Sequence, residues 1–114
     1  MTDEPITYDD FVRVDVRTGR ITEVLDFPRA RTPSYKVTVD FGPEIGKRAS
    51  SVQAANVYRP DDLLGTLVVA VVNMPPKNIA GFQSEVLILG VPAEDGTLSL
   101  LRPDRGARLG GRVY

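Results

Sequence analysis

Tyr35-Lys36-Val37-Thr38-Val39-Asp40-Phe41 alternates apolar and polar residues along its whole length, and that alternation decides what kind of fold this chain can adopt. A strand turns successive side chains to opposite faces, so Tyr35, Val37, Val39 and Phe41 share one face and are expected to be buried together. Upstream, Val12, Val14 and Val16 alternate with Arg13, Asp15 and Arg17 in the same way, and apolar positions resume after Gly19 at Ile21, Val24 and Leu25. This change of phase predicts a bulge or sharp bend around Gly19 in a long first strand. Downstream, Leu67 to Val72 and Val86 to Leu89 are continuous apolar runs, short for helices and rich in β-branched residues, which predicts strands covered on both sides. Leu98 to Leu101 adds another behind the turn former Asp95-Gly96. Helix signals are brief: an N-cap threonine followed by acids in Thr7 to Phe11, and a proline start with a glycine stop in Arg59 to Gly65.

Strands dominate this pattern, with one or two short helices between them, so the expectation is an all-β, small closed barrel, because closure removes exposed edges. The helical segment near 54–64 falls between the third and fourth strands, where an oligonucleotide-binding (OB) barrel places the helix that plugs one end. Periodicity alone also allows a β-sandwich or another small barrel. At 114 residues, 42% hydrophobic and 25% charged, the chain is expected to form a single domain over 1–114. No uninterrupted apolar run approaches the roughly 18 residues of a membrane span, so no membrane insertion is expected. Met1-Thr2-Asp3-Glu4-Pro5 is acidic where a secretory signal is basic and then apolar, which points to the cytoplasm.

Cysteine and histidine are both absent, which excludes disulfides, thiolate and imidazole metal ligands, Ser-His and Cys-His nucleophilic pairs and the usual general base near neutral pH. The 15 acids are scattered rather than clustered, so no catalytic residues, metal site or cofactor are expected, and the chain reads as a binding protein rather than an enzyme. Its net charge of −1 hides alternating blocks: residues 1–26 and 60–101 are acidic on balance, 27–59 and 102–114 basic. Such blocks allow a basic face, or simply a mixed solvated surface. A strong non-specific nucleic-acid binder would carry a clear basic excess, which is missing.

The chemistry of binding concentrates in Asn73-Met74-Pro75-Pro76-Lys77-Asn78-Ile79-Ala80-Gly81-Phe82-Gln83-Ser84-Glu85. Pro75 and Pro76 lack N–H groups and have fixed φ, so they make a stiff, extended lip at the barrel mouth. On that lip Met74, Ile79 and Phe82 form an adaptable apolar wall, while Asn73, Lys77 and Ser84 supply hydrogen bonds, a mixture suited to an extended peptide. The alternative is that the prolines end a strand, Phe82 fills the core and Gly81 is a turn residue. Glu85 is expected to satisfy backbone donors or to pair with an arginine such as Arg17. Arg29, Arg31 and Lys36 flank the loop between the first two strands, beside the binding face of an OB barrel. They could hold phosphates or acidic peptide groups, or be ordinary solvated charges. The lip reading requires a groove next to it.

Three segments resemble a known family. Val14-Asp15-Val16-Arg17-Thr18-Gly19-Arg20-Ile21 is similar to the opening strand of tRNA-binding domains of the EMAP II type. Val39-Asp40-Phe41-Gly42 with Arg48-Ala49-Ser50-Ser51-Val52 is the second, and the Asn73 to Glu85 stretch matches the signature Asn-x-x-Pro-[Arg/Lys]-x-[Ile/Met]-x-Gly-x-x-Ser-Glu. Within that family, Phe27-Pro28-Arg29-Ala30-Arg31-Thr32-Pro33, Ser50-Ser51-Val52-Gln53 and the double proline at Pro75-Pro76 resemble the CsaA export-related chaperones. The likeness runs from about residue 9 to residue 112. It implies an OB-fold homodimer that binds unfolded polypeptides or preproteins, with an export translocase component as a further partner. Its ligand contacts would be Arg29, Arg31, Lys36, Asn73, Met74, Pro76, Lys77, Ile79, Phe82 and Ser84. The same family implies structure-specific tRNA binding as the competing role. Dimerisation would use the Arg102 to Tyr114 segment together with Asp9, Asp10 and Phe11 across a two-fold axis.

Overall fold

The structure is a computed structural model that describes residues 4–114; the acidic opening at Met1 to Asp3 lies outside the described residues. The elements run α1 (Tyr8–Val12), β1 (Val16–Asp26), β2 (Tyr35–Asp40), β3 (Lys47–Val52), α2 (Pro60–Leu63), β4 (Leu67–Val71), β5 (Lys77–Ile79), β6 (Phe82–Ser84), β7 (Leu87–Ile88), β8 (Gly90–Pro92) and β9 (Leu98–Leu100). Five strands wrap in the order β3-β2-β1-β4-β7, every neighbouring pair antiparallel, and β5-β6 and β8-β9 project as separate hairpins. The result is a nearly closed five-stranded OB-like barrel. Among the described residues no helix is long and apolar enough to cross a membrane.

The alternating stretch behaves as its period requires. Tyr35, Val37, Val39 and Phe41 are all buried and form the core with Ile21, Val68, Ala70 and Leu63. The one polar atom this face carries inward is satisfied, since the Tyr35 hydroxyl donates to the Tyr58 carbonyl at 2.7 Å. Leu63, the only buried residue of α2, is completely covered and plugs the barrel end. Gly65, at φ +81°, then turns the chain so that its N–H reaches the Ile21 carbonyl at 2.8 Å. At the other end, Thr7 and Asp10 exchange side-chain to backbone hydrogen bonds of 3.1 Å each, the capping box that starts α1.

Three expectations need correction. The first strand opens at Val16 and not at Val12, because Val12 ends α1 and Val14 is exposed. The bulge lies between Ile21 and Glu23, where Ile21 faces Val39 but Glu23 already faces Thr38, so Thr22 is the extra residue. Gly19 sits in regular strand for a different reason: a Cβ there would stand 2.4 Å from Val39 Cγ1 and 2.9 Å from the Phe41 ring. Its role is to let β1 approach the core, not to bend it. The Val86 to Leu89 run is not covered on both sides, because only Val86 is buried and Leu87 is 49% exposed. Its ladder against β4 is Leu87–Ile88, extended by Leu89 N–H to the Val69 carbonyl at 2.9 Å, and Val86, Leu87 and Ile88 line a groove.

Candidate functional site

The seam between β3 and the Ser84 to Ile88 stretch makes the site. Ala49 and Glu85 exchange two bonds, Glu85 N–H to the Ala49 carbonyl and Ala49 N–H to Glu85 Oε1, both at 2.8 Å. Glu85 therefore satisfies a backbone donor, while Arg17 pairs with Asp15 instead. Beyond that pair the ladder gives way to hydroxyls: Ser51 N–H donates to Ser84 Oγ at 3.1 Å, and Ser50 Oγ donates to the Val86 carbonyl at 3.1 Å. Serine is small enough to sit in the wall and carries its own donor and acceptor, so the seam stays satisfied without strand pairing.

Over this seam lies a groove of about 720 Å³. Met74, Pro75, Lys77 and Ile79 form one wall; Ser84, Val86 and Ile88 form the floor; Val57 from the β3–α2 connection and Val91 and Leu98 from the β8-β9 hairpin face them. Four of the rim residues, Val57, Met74, Leu87 and Val91, are large apolar side chains between 43% and 50% exposed. An open apolar trough with a hydroxyl-lined floor can take a chain of mixed side chains.

The lip is exposed from Asn73 through Asn78, as two consecutive prolines that cannot join a sheet dictate. It leads into the β5-β6 hairpin, whose turn places Ala80 at φ +49° and Gly81 at φ +87°. Lys77 pairs with Ser84 and Ile79 with Phe82, so these four share one face of the hairpin. Beside the groove, Phe82 on that face belongs to an aromatic and basic cluster. Phe82 is half-buried, not in the core, and meets Phe27 edge-on with ring centroids 5.5 Å apart. Lys36 Nζ stands 4.8 Å from the Phe27 ring centre and 5.3 Å from that of Phe82. Arg29 and Arg31 are exposed on the loop that links β1 to β2 beside this cluster.

The structure thus brings Met74, Lys77, Ile79 and Ser84 together in the groove and Lys36 with Phe82 beside it. Pro76 is exposed on the lip but outside the lining, and Asn73 turns away from the groove toward the chain's N-terminal segment. Sequence reasoning missed the opposite wall, Val57, Val91 and Leu98. The only signal was a scatter of valines and leucines next to turns, which does not reveal what lies across from them.

Asn73 leads to a polar junction. Asp15 accepts from Arg17 Nε at 2.6 Å and lies 3.6 Å from Arg112 Nε, while Arg17 also donates to the Gly110 carbonyl at 2.9 Å. The Arg17 hydrogen bond and charge, with Arg112 behind it, hold the Asp15 carboxyl below its ordinary value of 3.8 against the opposing effect of burial. A carboxylate with a depressed folded pKa adds stability above the ordinary value and loses it as pH falls through the folded one. Urea unfolding midpoints are therefore expected to drop as pH falls below 3.8, and Asp15→Asn to be less stable near neutrality with a shallower acid slope. An unchanged slope in that variant would remove Asp15 from the account.

Comparison with known proteins fits this geometry. A family model described as "Putative tRNA binding domain" matches residues 16–112. The crystal structure of the CsaA chaperone protein from Picrophilus torridus superposes with a TM-score of 0.90 at 47% identity, covering 96% of this chain and 100% of that one. The chaperone CsaA from Bacillus anthracis str. Ames gives 0.89 at 41% identity, covering 97% and 100%. The methionine--tRNA ligase of Thermococcus kodakarensis is 37% identical over 111 residues. That alignment takes in 96% of this chain and 14% of the ligase, so the chain spans a small fraction of that relative's length.

Proposed function

Because the chain belongs to the tRNA-binding domain family and, within it, to the CsaA proteins, we propose that it is a homodimeric, non-catalytic molecular chaperone of the cytoplasm that holds unfolded polypeptides or preproteins for export. The observation that carries this reading is the groove beside the proline lip, with half-exposed Val57, Met74, Leu87 and Val91 along its rim. Unfolded chains share a backbone and exposed apolar side chains but no sequence, and an open apolar trough asks only for those. Met74 adds an unbranched side chain that adapts to varied neighbours. Export and a translocase component as partner rest on the sequence resemblance. Titration of a fluorescently labelled, permanently unfolded polypeptide is expected to saturate at micromolar concentration; no saturable binding there overturns the reading.

Dimerisation has its own support. Ile6, Tyr8, Val12, Val14, Val113 and Tyr114 are all exposed around a small hollow where α1 meets the C-terminal segment. Asp9 and Asp10 stand in the first turn of α1, and Arg112 lines the hollow. A two-fold axis needs one patch carrying both partners of each contact, and this patch carries apolar area and both charge signs. Sedimentation at 12.5 kDa across the micromolar range would exclude the dimer.

A second reading, structure-specific tRNA binding, is favoured by Lys36 seated over Phe27 and Phe82 next to exposed Arg29 and Arg31. Phosphate contacts make affinity fall steeply with salt, by a log–log slope of roughly −0.7 to −0.9 per phosphate neutralised. Arg29→Ala, Arg31→Ala and Lys36→Ala combined are expected to reduce the slope for tRNA by about 2–3 while leaving polypeptide affinity nearly unchanged. A slope untouched by the triple variant would place any tRNA elsewhere.

A further inference from the structure

We propose that Asn73 is a positioning residue that couples the dimer surface to the groove, so that pairing of two copies holds the lip in its binding position. This rests on the dimer and groove readings above. The β1-β4 ladder ends at the Val16–Val71 pair, and Val72 N–H extends it by one bond to the Asp15 carbonyl at 2.9 Å. At the next residue the main chain leaves for Met74-Pro75-Pro76, and the Asn73 side chain takes over. Its Oδ1 accepts from Asp15 N–H at 2.9 Å and its Nδ2 donates to the Arg13 carbonyl at 2.7 Å. A carboxamide carries a donor and an acceptor side by side, as a peptide group does, so Asn73 continues the pairing with its side chain while its backbone turns into the lip. Prolines cannot supply a replacement donor further along. The root of the lip therefore depends on the place of residues 13–15.

Within that stretch Val14, like Val12 just before it, lies on the apolar surface. A hollow of about 260 Å³ there is lined by Tyr8, Phe11, Val12, Val14, Val113 and Tyr114, with Arg112. Arg112 also donates to the Val12 carbonyl at 2.6 Å and approaches Asp15. The short stretch from Val12 to Asp15 is thus gripped by Arg112 from the C-terminal segment and by Asn73 from the lip. A second copy seated on Val12 and Val14 clamps this stretch from outside, and Asn73 carries the restraint to Met74 at the groove rim. The coupling is reciprocal: a polypeptide that orders the lip strengthens dimerisation by the factor with which dimerisation strengthens polypeptide binding.

Hydrogen exchange in the full chain, above and below its dimer dissociation concentration, tests the proposal without any ligand. The amides of Met74 and of Lys77 to Phe82 are expected to exchange about tenfold more slowly in the dimer than in the monomer, a factor within the usual range of coupling between sites. In Asn73→Ala the difference is expected to vanish while sedimentation still shows a dimer. Asn73→Asp keeps the acceptor for Asp15 N–H and loses the donor to Arg13, so it is expected to fall between, and it serves if the alanine variant fails to fold. Equal exchange in monomer and dimer of the unaltered protein, or a difference that persists in both variants, overturns the coupling, as does a chain that never dimerises. A titration with fluorescein-labelled, reduced and carboxymethylated lactalbumin runs in parallel. If it does not bind, the chaperone reading falls, and the exchange data still judge the clasp by themselves.

Discussion

Gly19→Ala is expected to lower stability by about 2–3 kcal/mol, seen as a fall of roughly 10 °C in the thermal midpoint. The change adds a single methyl group to a strand whose propensity for sheet alanine barely alters. Its cost comes from position. The new Cβ would lie 2.4 Å from Val39 Cγ1 and 2.9 Å from two atoms of the Phe41 ring, and both side chains are fully covered in the core. Neither can swing toward solvent, so β1 must back away from β2 or the core must spread. Val39→Ala removes the nearest clashing atom. The double variant is therefore expected to be at least about 1 kcal/mol more stable than the two separate losses added together, with rescue incomplete because the Phe41 ring remains. A Gly19→Ala protein melting within about 2 °C of the parent would show that the strands do not approach this closely.

Met74→Asp combined with Leu87→Asp is expected to weaken binding of an unfolded polypeptide by about thirtyfold or more, with stability changed by no more than about 0.5 kcal/mol. The two residues stand on the rim of the groove at 50% and 49% exposure. Half-exposed side chains contribute little to the core, so charging them leaves the fold intact. A carboxylate on either rim must be desolvated when an apolar segment enters, and that opposes every ligand alike. Leu64→Asp is the matched control, since Leu64 is 51% exposed after α2 and does not line the groove. It is expected to bind like the parent. Equal losses for the control and the double variant would mean that general surface apolarity, and not the groove, attracts the ligand.

The sequence disclosed most where a single residue's neighbours along the chain determine its environment. Tyr35 to Phe41 could be read from periodicity alone, because a strand with one buried face repeats every second residue. The short α2 was marked by its proline start and glycine stop, though not which of its residues is buried. Gly19 was recognised as special and misassigned in kind, since a glycine can serve backbone freedom or close approach, and only the partner strand tells which. The bulge itself fell on Thr22, a residue with no compositional mark. Val86 to Leu89 looked fully covered because an apolar run lining an open groove has the same letters as one inside a wall. Asn73 was read as a hydrogen-bonding group for a ligand, whereas its side chain bonds Asp15 and Arg13, 58 and 60 positions away, a distance across which sequence pattern carries no information.

The serine-rich joint beside the groove has a mechanical consequence. Three of the five seams in this barrel are stitched by long rows of backbone hydrogen bonds, β4-β7 by a two-pair ladder, and the closing seam by the Glu85 pair and two hydroxyls. A stave held lightly on both sides does not share a load evenly: prising at the mouth shifts β7 first and leaves the three long seams closed. Girth at the trough is therefore the dimension of this molecule that changes at least cost, by the shift of one stave rather than by the loosening of the whole.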